Sequence, residues 1–217
     1  MIKEIIDELN TLLEATNYFE KQFTLCDIVY NADGSSRPAE YCEGGSYNEV
    51  SNFTDYNGMS YIRRNGKTRI SVIDRPDIPQ KCGDDLVEMI YPLLLVAFVP
   101  KEKSSIDNNY TDDEIALTIF KGLNGTNFNI KKVVKAKYAE VNVLGYETDN
   151  NTILNGEYNP VPITDIDYGY SYLSMELEVR LVIRQSCIVV ECFNPLLREN
   201  LSYELGEDGT KIGRAHV

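Results

Sequence analysis

The run Met89–Val99, Met-Ile-Tyr-Pro-Leu-Leu-Leu-Val-Ala-Phe-Val, constrains this chain more than any other stretch. It carries no charge, Pro100 closes it, and its 11 residues are too few to cross a bilayer as a helix. Val96, Phe98 and Val99 favour extended backbone, and a run apolar on both faces reads as a strand covered from both sides. Pro92 argues against a helix, where its ring would clash with the preceding turn and remove a hydrogen bond. In a strand, Pro92 is expected at the start or on an edge. The rest of the chain is placed by asking how it covers this strand.

Met1–Phe23 carries Ile2, Ile5, Ile6, Leu9, Leu12 and Leu13 at intervals of three and four, which predicts an amphipathic helix. Phe23–Tyr30 reads as a strand. Residues 31–58 read as a long loop containing Gly34, Gly44, Gly45 and Gly58 with Tyr41, Tyr47, Phe53 and Tyr56 interleaved. Aromatics among small polar residues suit a contact surface, so these four are the candidate interface residues. Ser60–Arg64 and Lys67–Ile73 flank Asn65-Gly66, which predicts an antiparallel hairpin. Asp74–Gly83 reads as a loop. Thr111-Asp-Asp-Glu114 fits a capping box ahead of a helical stripe made by Ile115, Ala116, Ile119, Phe120 and Leu123. Lys131–Leu144 predicts a strand whose phase changes at Val141 and Val143, the mark of a bulge. Residues 147–169, with Pro160 and Pro162, read as a second long loop. Leu173, Met175, Leu177, Val179, Leu181 and Ile183 alternate with polar residues, which predicts a long strand with one buried and one wet face. Cys187–Phe193 continues or flanks it.

The expected architecture is therefore α+β: a largely antiparallel sheet with two main helices packed on one face and long loop insertions. Residues 1–193 form one domain, with loops at 31–58 and 147–169. Residues 194–217 form a charged, fraying tail. Within it, Ile212–Val217 reads as a translated sequencing adapter and is expected to be foreign, which matters because His216 is the one histidine of the sequence.

Composition narrows the chemistry. The formal net charge is -13, from 21 basic and 34 acidic residues, so the surface repels phosphate backbones and no specific nucleic-acid binding is expected. No stretch is long enough to span a membrane as a helix. Cys26, Cys42, Cys82, Cys187 and Cys192 are odd in number and form no Cys-x-x-Cys. With no basic-plus-apolar leader, reduced thiols in a cytosolic setting are expected, and the sequons at Asn52 and Asn200 read as chance matches. With His216 set aside, Ser–His and Cys–His nucleophile pairs and most transition-metal sites drop out. Gly66-Lys67-Thr68 imitates the end of a phosphate loop, but Tyr61 stands where the first glycine belongs. Pro76-Asp77 opens a nuclease-like pattern with no Asp/Glu-x-Lys triplet to complete it. Asp84, Asp85 and Glu88 could hold a hard cation, but so short a spacing with no glycine turn or further ligands fits a solvated acidic face better. The expectation is a non-enzyme with no cofactor: an assembly or binding module.

The order of these features resembles that of a known family. An N-terminal amphipathic helix, a β-rich middle, Tyr91-Pro92-Leu-Leu-Leu-Val-Ala-Phe98, a polar connector, the Thr111–Leu123 helix and a late alternating strand Tyr172–Ile183 resemble the tail-terminator and tail-completion neck proteins of tailed bacteriophages. The resemblance covers about three quarters of the chain; the two long loops depart from the family pattern. It implies a virion structural protein, made in the host cytoplasm and built into the neck or tail. Such a protein forms a homo-oligomeric ring, commonly a hexamer, that joins connector or neck proteins to the tail tube. The alternatives are a carboxylate-based metal-dependent enzyme using Asp84, Asp85 and Glu88, and a host-surface-binding virion module using the tyrosine-bearing loop.

Overall fold

The computed structural model describes residues 2–42, 46–50, 53–73, 86–104, 112–127, 138–159, 169–184, 201–205 and 211–215. The Met89–Val99 run lies inside the long strand β6, Leu86–Pro100. On one side β6 pairs along its whole length with β8, Tyr170–Arg184, and β8 pairs with β7, Tyr138–Glu147; both ladders are antiparallel. On the other side lie β4, Met59–Arg64, and β5, Arg69–Ile73. Beyond β4 the sheet continues through β1, Lys21–Tyr30, β2, Ser36–Tyr41, and β3, Tyr47–Glu49. Among the described residues β1–β4 is the one parallel pair of the sheet. The fold is α+β with a mostly antiparallel sheet.

The sheet is covered on both faces, unequally. Helices α1, Ile2–Glu14, and α2, Asp112–Leu123, lie on one face. Ile5, Ile6, Leu9 and Leu13 of α1 and Ile115, Ala116, Ile119 and Leu123 of α2 meet the odd-numbered residues of β6 and the alternating row Leu173–Ile183 of β8. On the opposite face, Phe98, Val96, Met59, Tyr61 and Tyr172 pack against Val50, Phe53, Ile153, Leu154 and Tyr158. Phe53 stacks on Phe98, with ring centroids 4.7 Å apart. This second core covers only the Leu94–Pro100 half of β6. The other half turns Glu88, Ile90 and Pro92, all half-buried, toward a polar surface. No helix of the described residues is long and apolar enough to cross a membrane.

Several expectations are corrected. The first helix stops at Glu14 and does not reach Phe23: Thr16 bonds back to the Leu13 carbonyl through its amide and its hydroxyl, and Asn17 takes a left-handed φ of 58°. The segment that follows packs against Gly58, the residue before β4, whose carbonyl accepts from the Glu20 and Lys21 amides and whose φ is 92°.

Residues 59–73 do not form a hairpin. β4 pairs with Leu93–Phe98 and β5 with Leu86–Ile90, on the same side of β6 and in the same direction. They are one strand course broken at Asn65–Thr68, where the chain advances five positions from Arg64 to Arg69 while β6 moves three from Leu93 to Ile90. Asn65-Gly66 makes a bulge, with φ 123° at Gly66, instead of a reversal. This also explains Pro92, which lies mid-strand and not at an end. Its carbonyl accepts from Asn65 at 3.0 Å, so its ring nitrogen faces the same broken stretch, where no ladder donor is required.

The two expected loops hold secondary structure. Residues 31–58 contain β2, β3 and a 3-10 turn at Phe53–Asp55. Residues 147–169 contain helix α3, Asn150–Glu157. The β7 bulge falls between Val143 and Gly145, just past the expected position. In the expected tail, β9, Leu201–Leu205, pairs antiparallel with β10, Lys211–Ala215, so most of the adapter-like segment lies in a two-stranded sheet. The Asp74–Gly83 loop, Thr111 of the capping box, Lys131–Lys137 of the β7 segment, and Cys187–Phe193 lie outside the described residues.

Candidate interaction surface

The four candidate interface residues do not form one surface. Phe53 is 4% exposed and belongs to the second core. Tyr56 is half-buried, packs edge-on against Phe23 at 6.0 Å, and accepts at its carbonyl from the Tyr170 hydroxyl. Tyr41 and Tyr47 face each other across the β2–β3 ladder, ring centroids 5.5 Å apart. The Tyr47 hydroxyl donates to Asp27 at 3.3 Å, and partial burial together with that carboxylate raises its pKa. Only Tyr47 of the four is strongly exposed.

Asp84 and Asp85 lie outside the described residues. The Glu88 carboxylate is engaged: it is ion-paired with Arg180 and accepts from the Ser71 hydroxyl at 3.3 Å. Arg69 pairs with Glu178 in the same surface, and Asn65 reaches Glu176 at 3.5 Å. Among the described residues no group of three or more His, Cys, Asp or Glu side chains converges as a metal-holding cluster. A shallow cleft of about 510 Å³ opens between Thr54–Asn57, Pro100–Glu102 and Gly169–Tyr170. Of the thiols, Cys26 and Cys42 are free; burial, with help from the Glu40 carboxylate, pushes the Cys26 thiol far above its ordinary range.

Beneath the surface, one polar cluster fixes α3 to the sheet. Asp149 caps the helix by accepting from the Thr152 amide at 2.9 Å, which, with the Thr152 hydroxyl as the larger cause, lowers its pKa. The helix then buries Ile153 and Leu154 and ends on Glu157, 2% exposed. Both Glu157 oxygens accept from Arg63, at 2.7 to 3.1 Å, and Oε2 also accepts from the buried Tyr61 hydroxyl at 3.0 Å. Burial opposes the Arg63 cation, but Glu157 more than offsets it, so the Arg63 pKa is raised. Burial, then the Glu157 charge, drives the Tyr61 phenol upward.

Apart from Leu117 on α2, 44% exposed, the large apolar side chains left in solvent among the described residues lie along the sheet margins. Ile70 and Val72 on β5 are 58% and 63% exposed; Leu144 and Tyr146 on β7 are 59% and 43% exposed; Tyr30 at the end of β1 is 78% exposed. Ile70 and Val72 sit in register with Met89 and Val87, which are buried under the helices. The core row therefore runs sideways into water at β5. The sequence held a signal for this: Arg69–Ile73 alternates like a strand but has no charged residue to blunt an edge after Arg69. A scan against protein-family models finds no match for the chain, and a search of curated proteins finds no relative.

Proposed function

We propose that this chain is a structural subunit of a tailed-phage neck or tail, a tail-terminator or tail-completion ring that joins connector to tail tube. The observation that carries the reading is the apolar margin at β5 and at the far end of β7, exposed on a sheet whose helix-covered face is otherwise sealed. Isolated exposed apolar residues are ordinary on any protein. Pairs of them on unpaired strand edges are templates for another chain. The order of elements seen in the sequence supports the family, and the net charge of -13 suits a wall past which DNA slides without sticking. In this reading the partners are identical copies, connector or neck proteins and the tail tube, and the site of action is the virion.

The test is genetic and visual. In lysates from a genome in which this reading frame is interrupted, electron microscopy should show filled heads separated from tails, or tails of aberrant length. Expression of the chain in trans should restore joined particles. Normal virions from the interrupted genome would overturn the reading.

A further inference from the structure

We propose that copies of this chain join head to tail, the β5 edge of one copy pairing antiparallel with the Leu144–Glu147 edge of β7 in the next. This deepens the ring reading and rests on it for the premise that copies meet.

Both edges are open among the described residues. β5 is bonded to β6 on one side only. The outer side of β7 is closed over its first part, where Gly125 donates to the Val141 carbonyl, Val141 donates to Thr126, and Val143 donates to the Asn124 side chain. From the bulge residue Leu144 on, nothing described continues that closure.

The direction is fixed by the fold. β5, β6, β8 and β7 are successively antiparallel, so β5 and β7 run antiparallel to each other in one chain. A rotation that carries one sheet alongside the next therefore brings the two edges together antiparallel, the stronger pairing.

One register matches the two edges residue by residue. Setting Arg69 opposite Glu147 places Ile70 against Tyr146, Ser71 against Gly145, Val72 against Leu144, and Lys67 near Asp149. The faces also agree. Ile70 is in register with Met89, and Tyr146 with Met175, both on the helix-covered face; Arg69 and Glu147 are in register with Ile90 and Ser174 on the other. Apolar thus meets apolar and cation meets anion. The alternative, β5 against β5 of a second copy, brings two basic strand starts into one interface. The open edges lie at diagonal corners of the β5–β6–β8–β7 unit, about 20 Å apart along the strands. Closing a ring without a net rise then requires strands tilted roughly 45–50° from its axis.

Because the contact has two different sides, it predicts a complementation pattern. Ile70→Lys and Tyr146→Lys alter exposed side chains, so both variants should keep the wild-type circular dichroism and melting curve. Sedimentation of the wild-type chain should show species larger than a dimer. Each variant alone should sediment as a monomer, its dissociation constant raised by roughly thirtyfold or more. An equimolar mixture should form a dimer and nothing larger, since the Ile70→Lys copy keeps a sound β7 edge and the Tyr146→Lys copy a sound β5 edge. A wild-type chain that is monomeric to millimolar concentration, a Tyr146→Lys variant that assembles like wild type, or a mixture that stays monomeric overturns the proposal. Separated heads and tails in the genetic test, with rings intact in both variants, would keep the neck reading and remove this contact; normal virions with a mixed dimer would do the reverse.

Discussion

Glu157→Ala tests how the second face of the sheet is held. The carboxylate is 2% exposed and serves two partners, Arg63 through both oxygens and the Tyr61 hydroxyl. Breaking a buried ion pair from one side costs about 3–5 kcal/mol. The Arg63 side chain keeps 21% exposure and can regain part of its hydration, which argues for the lower end. Tyr61 cannot: it is fully buried, and an orphaned hydroxyl costs about 1–3 kcal/mol. The two penalties share one group and do not simply add, so a loss of about 4 kcal/mol is expected. Glu157→Gln keeps an acceptor for Tyr61 and should lose about 2 kcal/mol. Adding Tyr61→Phe to Glu157→Ala removes the orphan and should restore about 1 kcal/mol. Urea unfolding at 25 °C followed by circular dichroism reads these differences, the chain having no tryptophan. Amide exchange across Asn150–Glu157 should quicken in the alanine variant. A loss below about 1 kcal/mol would refute the claim that this carboxylate fastens α3.

Gly58→Ala should lose more than about 4 kcal/mol or fail to fold, because a Cβ there would lie 2.0 Å from the Tyr18 carbonyl oxygen at a φ of 92°; a melting curve like wild type would contradict this. Phe53→Ala should cost about 3–4 kcal/mol in urea unfolding and Tyr47→Ala less than about 1, the reverse of what an exposed Phe53 would give. Stability should fall steeply in alkali. Cys26, Tyr61 and Tyr91 all have raised pKa values, chiefly through burial, so each contributes stability that is complete below its unfolded value, 9.0 for the thiol and 10.0 for the phenols, and is lost as pH rises toward the folded one. Tyr61→Phe should flatten that limb. Asp149 acts at the other end: its lowered pKa contributes stability present above the ordinary aspartate range and lost as pH falls through the lowered value, and Asp149→Asn should remove that acid limb from α3 exchange.

The sequence carried the sheet's centre plainly. Met89–Val99 and Leu173–Ile183 are regular because burial on one or both faces dictates nearly every side chain, and the same holds for the stripes of α1 and α2. It misled where one local signal has two outcomes. Asn65-Gly66 supplies positive φ, which serves a bulge as well as a reversal, and only Pro92 opposite the break decides between them. Helix α3 hid because Asn150, Asn151, Asn155 and Gly156 are poor helix formers; its signs were the Asp149–Thr152 cap and the i, i+4 pairs Ile153–Glu157 and Leu154–Tyr158. Phe53 looked like a contact residue because its neighbours are polar, yet its partner Phe98 lies 45 positions away and leaves no local trace. The margin residues were visible as a strand pattern, but that no described residue pairs beyond them is a property of the assembled sheet.

The most direct test of the structural-subunit account is electron microscopy of particles made when this reading frame is interrupted. The account predicts filled heads apart from unjoined or misgrown tails, rescued by the chain supplied in trans. Intact virions of normal tail length would contradict it.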